Sequence, residues 1–247
     1  MAQSEFGEVK VWDDFLGPDN DLTWGTGTVK VGNFGFVSVN EGSFEWTVDE
    51  SGGVLAITTD TGDDDNAVLM AGTFKAADGP LVTEWRFKTN SATLGAIYCG
   101  FTETLALDTP VMPAEFATAT MTYNGTGAMA GIQFDTDGTT DDFRAVFGDN
   151  GAALSLADAN GTRANATITA DRWYIARTEI DPNGAARVYF GDGTNTSQMK
   201  LIKSISSGID TSVQLYAVLM FENRSAAARV FEVDYGYARG YRDWNAD

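Results

Sequence analysis

The sequence predicts an all-β protein, and two observations support the prediction. The first is alternation. In residues 81–88, Leu81, Trp85 and Phe87 face one side of an extended chain, and charged residues face the other. A period of two is typical of a β-strand with one buried face. The second is spacing, because roughly a dozen or more such runs recur every 8–15 residues or so without a helical period. Such spacing indicates a two-sheet sandwich or a barrel.

In the first half of the chain, the predicted strands are separated by turn-forming residues. Residues 49–53, Asp-Glu-Ser-Gly-Gly, suit a hairpin, and Asp78-Gly79-Pro80 separates the next two apolar runs. The predicted strands in this half are 9–15, 28–39 (interrupted by glycines), 44–48, 54–58, 66–74, 81–88 and 95–102.

Residues 105–125 break this pattern. Pro110 and Pro113 interrupt any strand, and residues 114–119 form a helical turn at most. We expect a long connection that crosses a sheet, with a functional loop as the alternative.

Strands resume after this connection. Asp-Pro-Asn-Gly at residues 181–184 is a strong hairpin turn between two of them. The remaining predicted strands are 128–134, 143–147, 172–180, 185–190, 199–205, 213–221 and 228–239.

The chain is strongly acidic, with 35 Asp and Glu residues against 16 Lys and Arg residues and a net charge of −19. Nucleic-acid binding needs a basic face, and an anionic membrane repels an acidic one, so we expect neither partner. No apolar run approaches the roughly 18 residues that span a bilayer. The first residues lack the basic and apolar regions of a secretory signal, so none is expected. The length suits one all-β domain over residues 1–247.

Residues for catalysis are scarce. The sequence has no histidine, which excludes Ser-His-Asp and Cys-His devices. The single cysteine, Cys99, lies in an apolar run and is predicted to be a buried hydrophobic residue. Glu179 with Asp181 and Glu232 with Asp234 are the carboxylate pairs that could serve a glycosidase. Solvent-facing strand acids explain them better, so we expect no enzyme and assign no catalytic residue.

The segment Asp135–Asp142, Asp-Thr-Asp-Gly-Thr-Thr-Asp-Asp, has the oxygen-rich composition that calcium prefers. It lacks the closing glutamate of an EF-hand and lies between two predicted strands. A polar hairpin turn explains it without a metal. We therefore assign no metal or cofactor and keep calcium as the alternative.

Tryptophans are the candidate sugar-stacking residues, because exposed aromatic rings pack against sugar rings in binding sandwiches. Trp85 alternates with the core set, and Trp173 falls on the opposite face of its strand. Core or interface packing is the alternative role and suits most of them. The other four are Trp12, Trp24, Trp46 and Trp244.

Several segments resemble a known family. Residues 81–101, the hairpin of residues 172–190 and the end at 231–237 are similar to the paired strands of concanavalin A-like, laminin-G-type sandwiches. The order of Gly-Phe-Thr-Glu at 100–103, Gly-Ile-Gln-Phe-Asp-Thr-Asp-Gly-Thr-Thr-Asp at 131–141, the hairpin and a Val-Asp-Tyr end resembles virion proteins of tailed phages. These are head decoration or cement proteins and, in some cases, tail components.

The resemblance covers about residues 70–240 and implies a two-sheet antiparallel jelly-roll sandwich. It also implies a non-enzymatic virion protein that binds the major capsid protein on the outer shell as a dimer or trimer. Such a protein assembles in the host cytoplasm and stabilises the capsid. The alternative function is a carbohydrate-binding module of a phage tail or cell-surface protein, with Trp24 and Trp173 as the first residues to test.

Residues 1–20 match no part of this pattern and are a candidate arm for docking onto the capsid. An ordinary first strand of the sandwich is the alternative. The apolar residues of this segment are Val9, Val11, Trp12, Phe15 and Leu16.

Overall fold

The structure is a computed structural model that describes residues 7–15, 22–23, 27–38, 42–47, 53–103, 105, 110–125, 127–193 and 199–242. These ranges contain β-strands and two short 3-10 helices, Ala76–Asp78 and Leu156–Asp158. No helix within them has the length and apolar character needed to cross a bilayer.

The first ten strands are β1 Glu8–Asp13, β2 Leu22–Thr23, β3 Gly27–Val31, β4 Phe34–Ser38, β5 Ser43–Trp46, β6 Leu55–Thr58, β7 Asn66–Phe74, β8 Leu81–Thr89, β9 Gly95–Thr102 and β10 Ala114–Ala117. The others are β11 Thr120–Tyr123, β12 Met129–Asp135, β13 Asp142–Asp149, β14 Ala152–Ala153, β15 Thr162–Thr167, β16 Tyr174–Ile180, β17 Ala186–Asp192, β18 Lys200–Ile205, β19 Leu215–Asn223 and β20 Val230–Tyr241.

Two antiparallel sheets form a sandwich. The β8 sheet has the order β18-β17-β16-β8-β20-β6-β5-β2, with β1 also paired to β20. The β9 sheet has the order β14-β13-β12-β9-β19-β7-β4-β3, with β15 also paired to β13. Every strand pair in the described ranges is antiparallel, which confirms the predicted all-β sandwich.

The core lies between the sheets, and the alternation in β8 explains how it forms. Leu81, Trp85 and Phe87 are fully buried in the main apolar cluster, whereas Arg86 and Lys88 face outward. Fully burying a side chain of this kind stabilises the fold by about 1.5–3 kcal/mol. Cys99 is also buried in this cluster, as predicted.

The expectation that residues 114–119 form a helical turn at most, within an irregular connection, is wrong. Strands β10 and β11 form a hairpin there, and the turn between them places Thr118 at a φ of 65°. Phe116 and Met121 bury their side chains against the outer face of the β9 sheet. The hairpin therefore forms a third layer over residues such as Tyr98 and Met220.

Two strand predictions also change. The predicted strand 28–39 is the hairpin β3–β4, whose strands are joined by Gly32 and Asn33. Strand β15 was not predicted, because its sequence Thr-Arg-Ala-Asn-Ala-Thr places only threonine and alanine on its inward side.

The N-terminal segment contributes a strand to the sandwich. Strand β1 pairs with the end of β20, from Glu8 opposite Tyr241 to Asp13 opposite Gly236. Its Val9 and Val11 pack against the core. Residues 1–6 and 16–20 of the predicted docking arm lie outside the described residues.

Candidate functional site

A cleft of about 280 Å³ lies beside the end of β1. Three segments that are distant in sequence form it, namely the end of β1, the β3–β4 turn and the end of β5. We call it the Trp12–Trp46 cleft. Its lining residues are Trp12, Asp13, Asp14, Phe15, Gly32, Asn33 and Trp46.

Asp13 holds two of these segments together. Its Oδ1 accepts a hydrogen bond from the Phe15 N–H at 2.7 Å, and its Oδ2 accepts one from the Asn33 N–H at 2.8 Å. The Asn33 side-chain amide donates to the Trp12 carbonyl at 2.8 Å. Gly32 adopts a φ of +57°, and a Cβ at this position would overlap the Asp13 carboxylate. The turn therefore requires glycine, and the base of the cleft is formed before any ligand binds.

Phe15 anchors the chain as it leaves β1. Its backbone is left-handed, with φ at 52°, and its ring is buried at 6.3 Å from the ring of Phe34. Gly53, with φ at +75°, packs closely against the carbonyl groups of Asp14 and Phe15. Left-handed backbone is costly for a residue with a Cβ, so burial of the Phe15 ring maintains this bend.

Two tryptophans line the cleft. Trp12 is 51% exposed. Trp46 is half-buried and meets the ring of Phe44 edge-on at 5.9 Å. The Trp46 Nε1 is buried and has no acceptor among the residues that the structure describes.

The polar groups of the cleft differ in whether they already accept hydrogen bonds from the protein. Both oxygens of Asp13 accept backbone hydrogen bonds. Asp14 makes no hydrogen bond or ion pair with any described residue. The cleft thus offers apolar ring faces together with a carboxylate and an amide, which suits a small ligand that is both apolar and polar.

The other tryptophans do not form a second cleft of this kind in the described ranges. Trp173 packs on the exposed face of the β8 sheet, 4.4 Å from the Arg86 guanidinium and 4.7 Å from the Lys88 ammonium. Trp85 is fully buried. Trp24 and Trp244 lie outside the described residues. The sequence identifies Trp12 and Trp46 as candidates but does not predict that they line the same cleft.

The carboxylates considered for glycoside hydrolysis are engaged in other contacts. Glu179 lies 2.7 Å from Arg177, and Glu232 lies 2.7 Å from Lys88. Asp234 forms an ion pair with Arg86. Asp181 accepts hydrogen bonds from the hairpin backbone that follows it. None of the four lines the Trp12–Trp46 cleft.

Arginine side chains contact acidic residues at both ends of the segment Asp135–Asp142, for which calcium binding is the alternative. The Arg224 side chain is almost completely buried and bonds both oxygens of Asp135, at 3.0 and 2.8 Å. At the other end of the loop, Asp142 forms an ion pair with Arg163. The described residues contain no group of three or more acidic, Cys or His side chains arranged to hold a metal ion.

Arg224 is the centre of a larger buried network. Its guanidinium also lies within 4 Å of four further carboxylates, including Glu222 at 2.6 Å. Burial raises the pKa of Glu222 to about 8, although the charge of Arg224 opposes this shift. The remaining three are Asp64, Glu115 and Asp137.

No protein-family model and no curated protein matches the chain. Among solved structures, a protein of unknown function from Shewanella oneidensis MR-1 has a TM-score of 0.57 and 12% identity, over 97% of this chain and 89% of that one. Lectin II from Ulex europaeus has a TM-score of 0.56 and 10% identity, over 94% and 98%. The Lotus tetragonolobus seed lectin has a TM-score of 0.54 and 10% identity, over 91% and 100%.

These similarities show the fold. The chain is a concanavalin A-like β-sandwich, as found in legume lectins, and the predicted fold class is confirmed. The finer resemblance to tailed-phage virion proteins stays a prediction.

Proposed function

We propose that the protein is a carbohydrate-binding, lectin-like module and that the Trp12–Trp46 cleft binds the sugar. The observation that carries this proposal is that Trp12 and Trp46 line one cleft of about 280 Å³ together with Asp14 and Asn33. The shared fold supports it, because the structural neighbours include proteins named as lectins.

The chemistry of the cleft matches that of a sugar ring. A pyranose has apolar C–H faces, which pack on indole rings, and a rim of hydroxyl groups. Carboxylate and amide oxygens accept hydrogen bonds from those hydroxyls. Asp13 and Phe15 already fix the base of the cleft. Sugar binding therefore needs to order few additional residues.

The contribution of Trp12 to affinity follows from its exposure. Trp12 is 51% exposed, and covering half to all of that surface removes roughly 60–120 Å² from water. At ~25 cal/mol per Å², this burial contributes about 1.5–3 kcal/mol. Replacing Trp12 by alanine should then weaken binding about 10- to 100-fold.

A glycan array followed by calorimetry tests the proposal. We expect the wild-type protein to bind a subset of glycans and Trp12→Ala to lose that binding. Trp173→Ala is the matched control, because it removes a tryptophan from the exposed face of the β8 sheet. Binding that survives Trp12→Ala and is lost in Trp173→Ala would place the sugar on that face and refute the cleft proposal.

Decoration of a phage capsid is a separate proposal, supported by the order of motifs between residues 81 and 237. It includes binding to the major capsid protein, a dimer or trimer, a position on the outer shell and no enzymatic activity. The copy number in purified virions tests it. A number comparable with that of the coat protein supports decoration, a number typical of tail proteins supports a tail position, and absence rules out both.

A further inference from the structure

Two adjacent aspartates in the Trp12–Trp46 cleft have different roles. Asp13 uses both carboxylate oxygens to hold the backbone of Phe15 and Asn33. Asp14 lines the same cleft but makes no hydrogen bond or ion pair within the described part of the chain. Asp13 is therefore structural, and Asp14 is available to a ligand.

Asp14 differs from the strand carboxylates that are paired with cations. On the exposed face of the β8 sheet, Glu84 lies 3.3 Å from Arg177, and Glu232 lies 2.7 Å from Lys88. Among the described residues, those that line the cleft include no lysine or arginine. The negative charge of Asp14 is thus uncompensated by any cation lining the cleft, in a chain whose net charge is −19.

Aromatic rings beside an unpaired carboxylate favour a cation. The face of an indole attracts ammonium groups, and sites that combine such rings bind organic cations. Trp12 and Trp46 supply the rings, and Asp14 supplies the charge. A negatively charged sugar would instead meet two carboxylates and the overall negative field of the protein.

We propose that the cleft selects sugars that carry a free, protonated amine and that Asp14 binds this amine. This inference rests on the proposed carbohydrate-binding function and specifies its ligand class. Amino sugars are preferred to neutral and N-acetylated sugars, and uronic or sulfated sugars are excluded. An exposed or partly exposed ion pair next to an aromatic face gives a preference of about 5- to 10-fold.

Three β-1,4-linked tetramers that differ only at C2 serve as probes. These are the tetramers of glucosamine, N-acetylglucosamine and glucose, titrated at pH 6 in physiological salt, where the amine is protonated. We expect the glucosamine tetramer to bind about 5- to 10-fold more tightly than the other two. The same protein on a glycan array should give its strongest signals with sugars that have a free amine.

Variants separate specific recognition from general attraction to a cation. Asp14→Asn should abolish the preference while changing the affinity for the glucose tetramer less than twofold. Glu45→Gln makes the same change in net charge at an exposed position of β5 outside the cleft, and should retain the preference. Trp12→Ala should weaken binding of every tetramer that binds, whereas non-specific attraction would survive it.

The possible failures are distinguishable. If the strongest array ligands lack a free amine, or if Asp14→Asn retains the preference, the inference is wrong while the cleft still binds sugar. If no glycan binds in a manner that depends on Trp12, the proposed function itself fails. Unchanged thermal unfolding of Asp14→Asn, expected because Asp14 has no partner within the described ranges, confirms that the fold is intact.

Discussion

Replacing Arg224 by methionine should destabilise the protein strongly. The Arg224 side chain is 4% exposed, and its partners Asp135 and Glu222 are 0% and 4% exposed. Methionine preserves much of the apolar volume but removes the positive charge. The Asp135 carboxylate then remains buried without its cation, and breaking a buried pair in this way costs about 3–5 kcal/mol. For a chain of this size, that loss lowers the midpoint of thermal unfolding by about 6–20 °C.

The network also holds the β10–β11 hairpin in place. Arg224 lies 3.1 Å from Glu115 on β10, and Asp135 accepts a hydrogen bond from the Phe116 N–H at 2.7 Å. Loss of the guanidinium should therefore loosen the hairpin over the β9 sheet. Faster hydrogen exchange at residues 114–123 than in the wild type would report this loosening.

Urea unfolding of Arg224→Met, with calorimetry, measures the predicted loss. Arg187→Met is the matched control, because Arg187 is half exposed and lies 4.0 Å from Glu179. Surface pairs of this kind contribute about 0–1 kcal/mol. A loss below about 1 kcal/mol in Arg224→Met, or equal losses in the two variants, would refute the reasoning.

Three further predictions concern pH, a turn and a thiol. The folded-state pKa of Glu222 is raised from 4.5 to about 8, so the folded state binds more protons than the unfolded state between these values. Stability in urea should fall as pH rises from about 5 to 8, and Glu222→Gln should flatten that dependence. Gly32→Ala should cost about 1–2 kcal/mol in urea unfolding and weaken glycan binding, because its positive φ and the Asp13 carboxylate leave no room for a Cβ. Gly95→Ala is its control, since a Cβ there meets only an ordinary contact. Burial raises the pKa of the Cys99 thiol, so a thiol reagent should label it only after unfolding; labelling at the same rate in the folded protein would contradict this placement.

Local patterns predict the strands of the core because burial on one face imposes a period of two. The run at residues 81–88 became β8, and the run at 66–74 became β7. The β10–β11 hairpin escaped prediction because Phe116 and Met121 pack against the outer face of another sheet. That contact depends on tertiary structure, and two prolines nearby suggested an irregular connection.

The residues of the Trp12–Trp46 cleft are likewise brought together only by tertiary structure. Trp12 and Trp46 are candidates in the sequence, but they line one cleft because β1 pairs with the end of β20 and the β3–β4 turn closes against Asp13. The Arg224 network was not visible, because its carboxylates come from segments spread across the chain. The acid-rich composition of residues 135–142 is compatible with calcium. Arg224, which binds Asp135, is distant in sequence, so no local pattern predicts this contact.

The most direct test of the central claim is calorimetric titration of the strongest array glycan into wild-type protein, Trp12→Ala and Trp173→Ala. The account predicts a 10- to 100-fold loss of affinity in Trp12→Ala, about 1.5–3 kcal/mol, and a change of less than twofold in Trp173→Ala. Equal affinity of the wild type and Trp12→Ala would contradict the assignment of the Trp12–Trp46 cleft as the binding site.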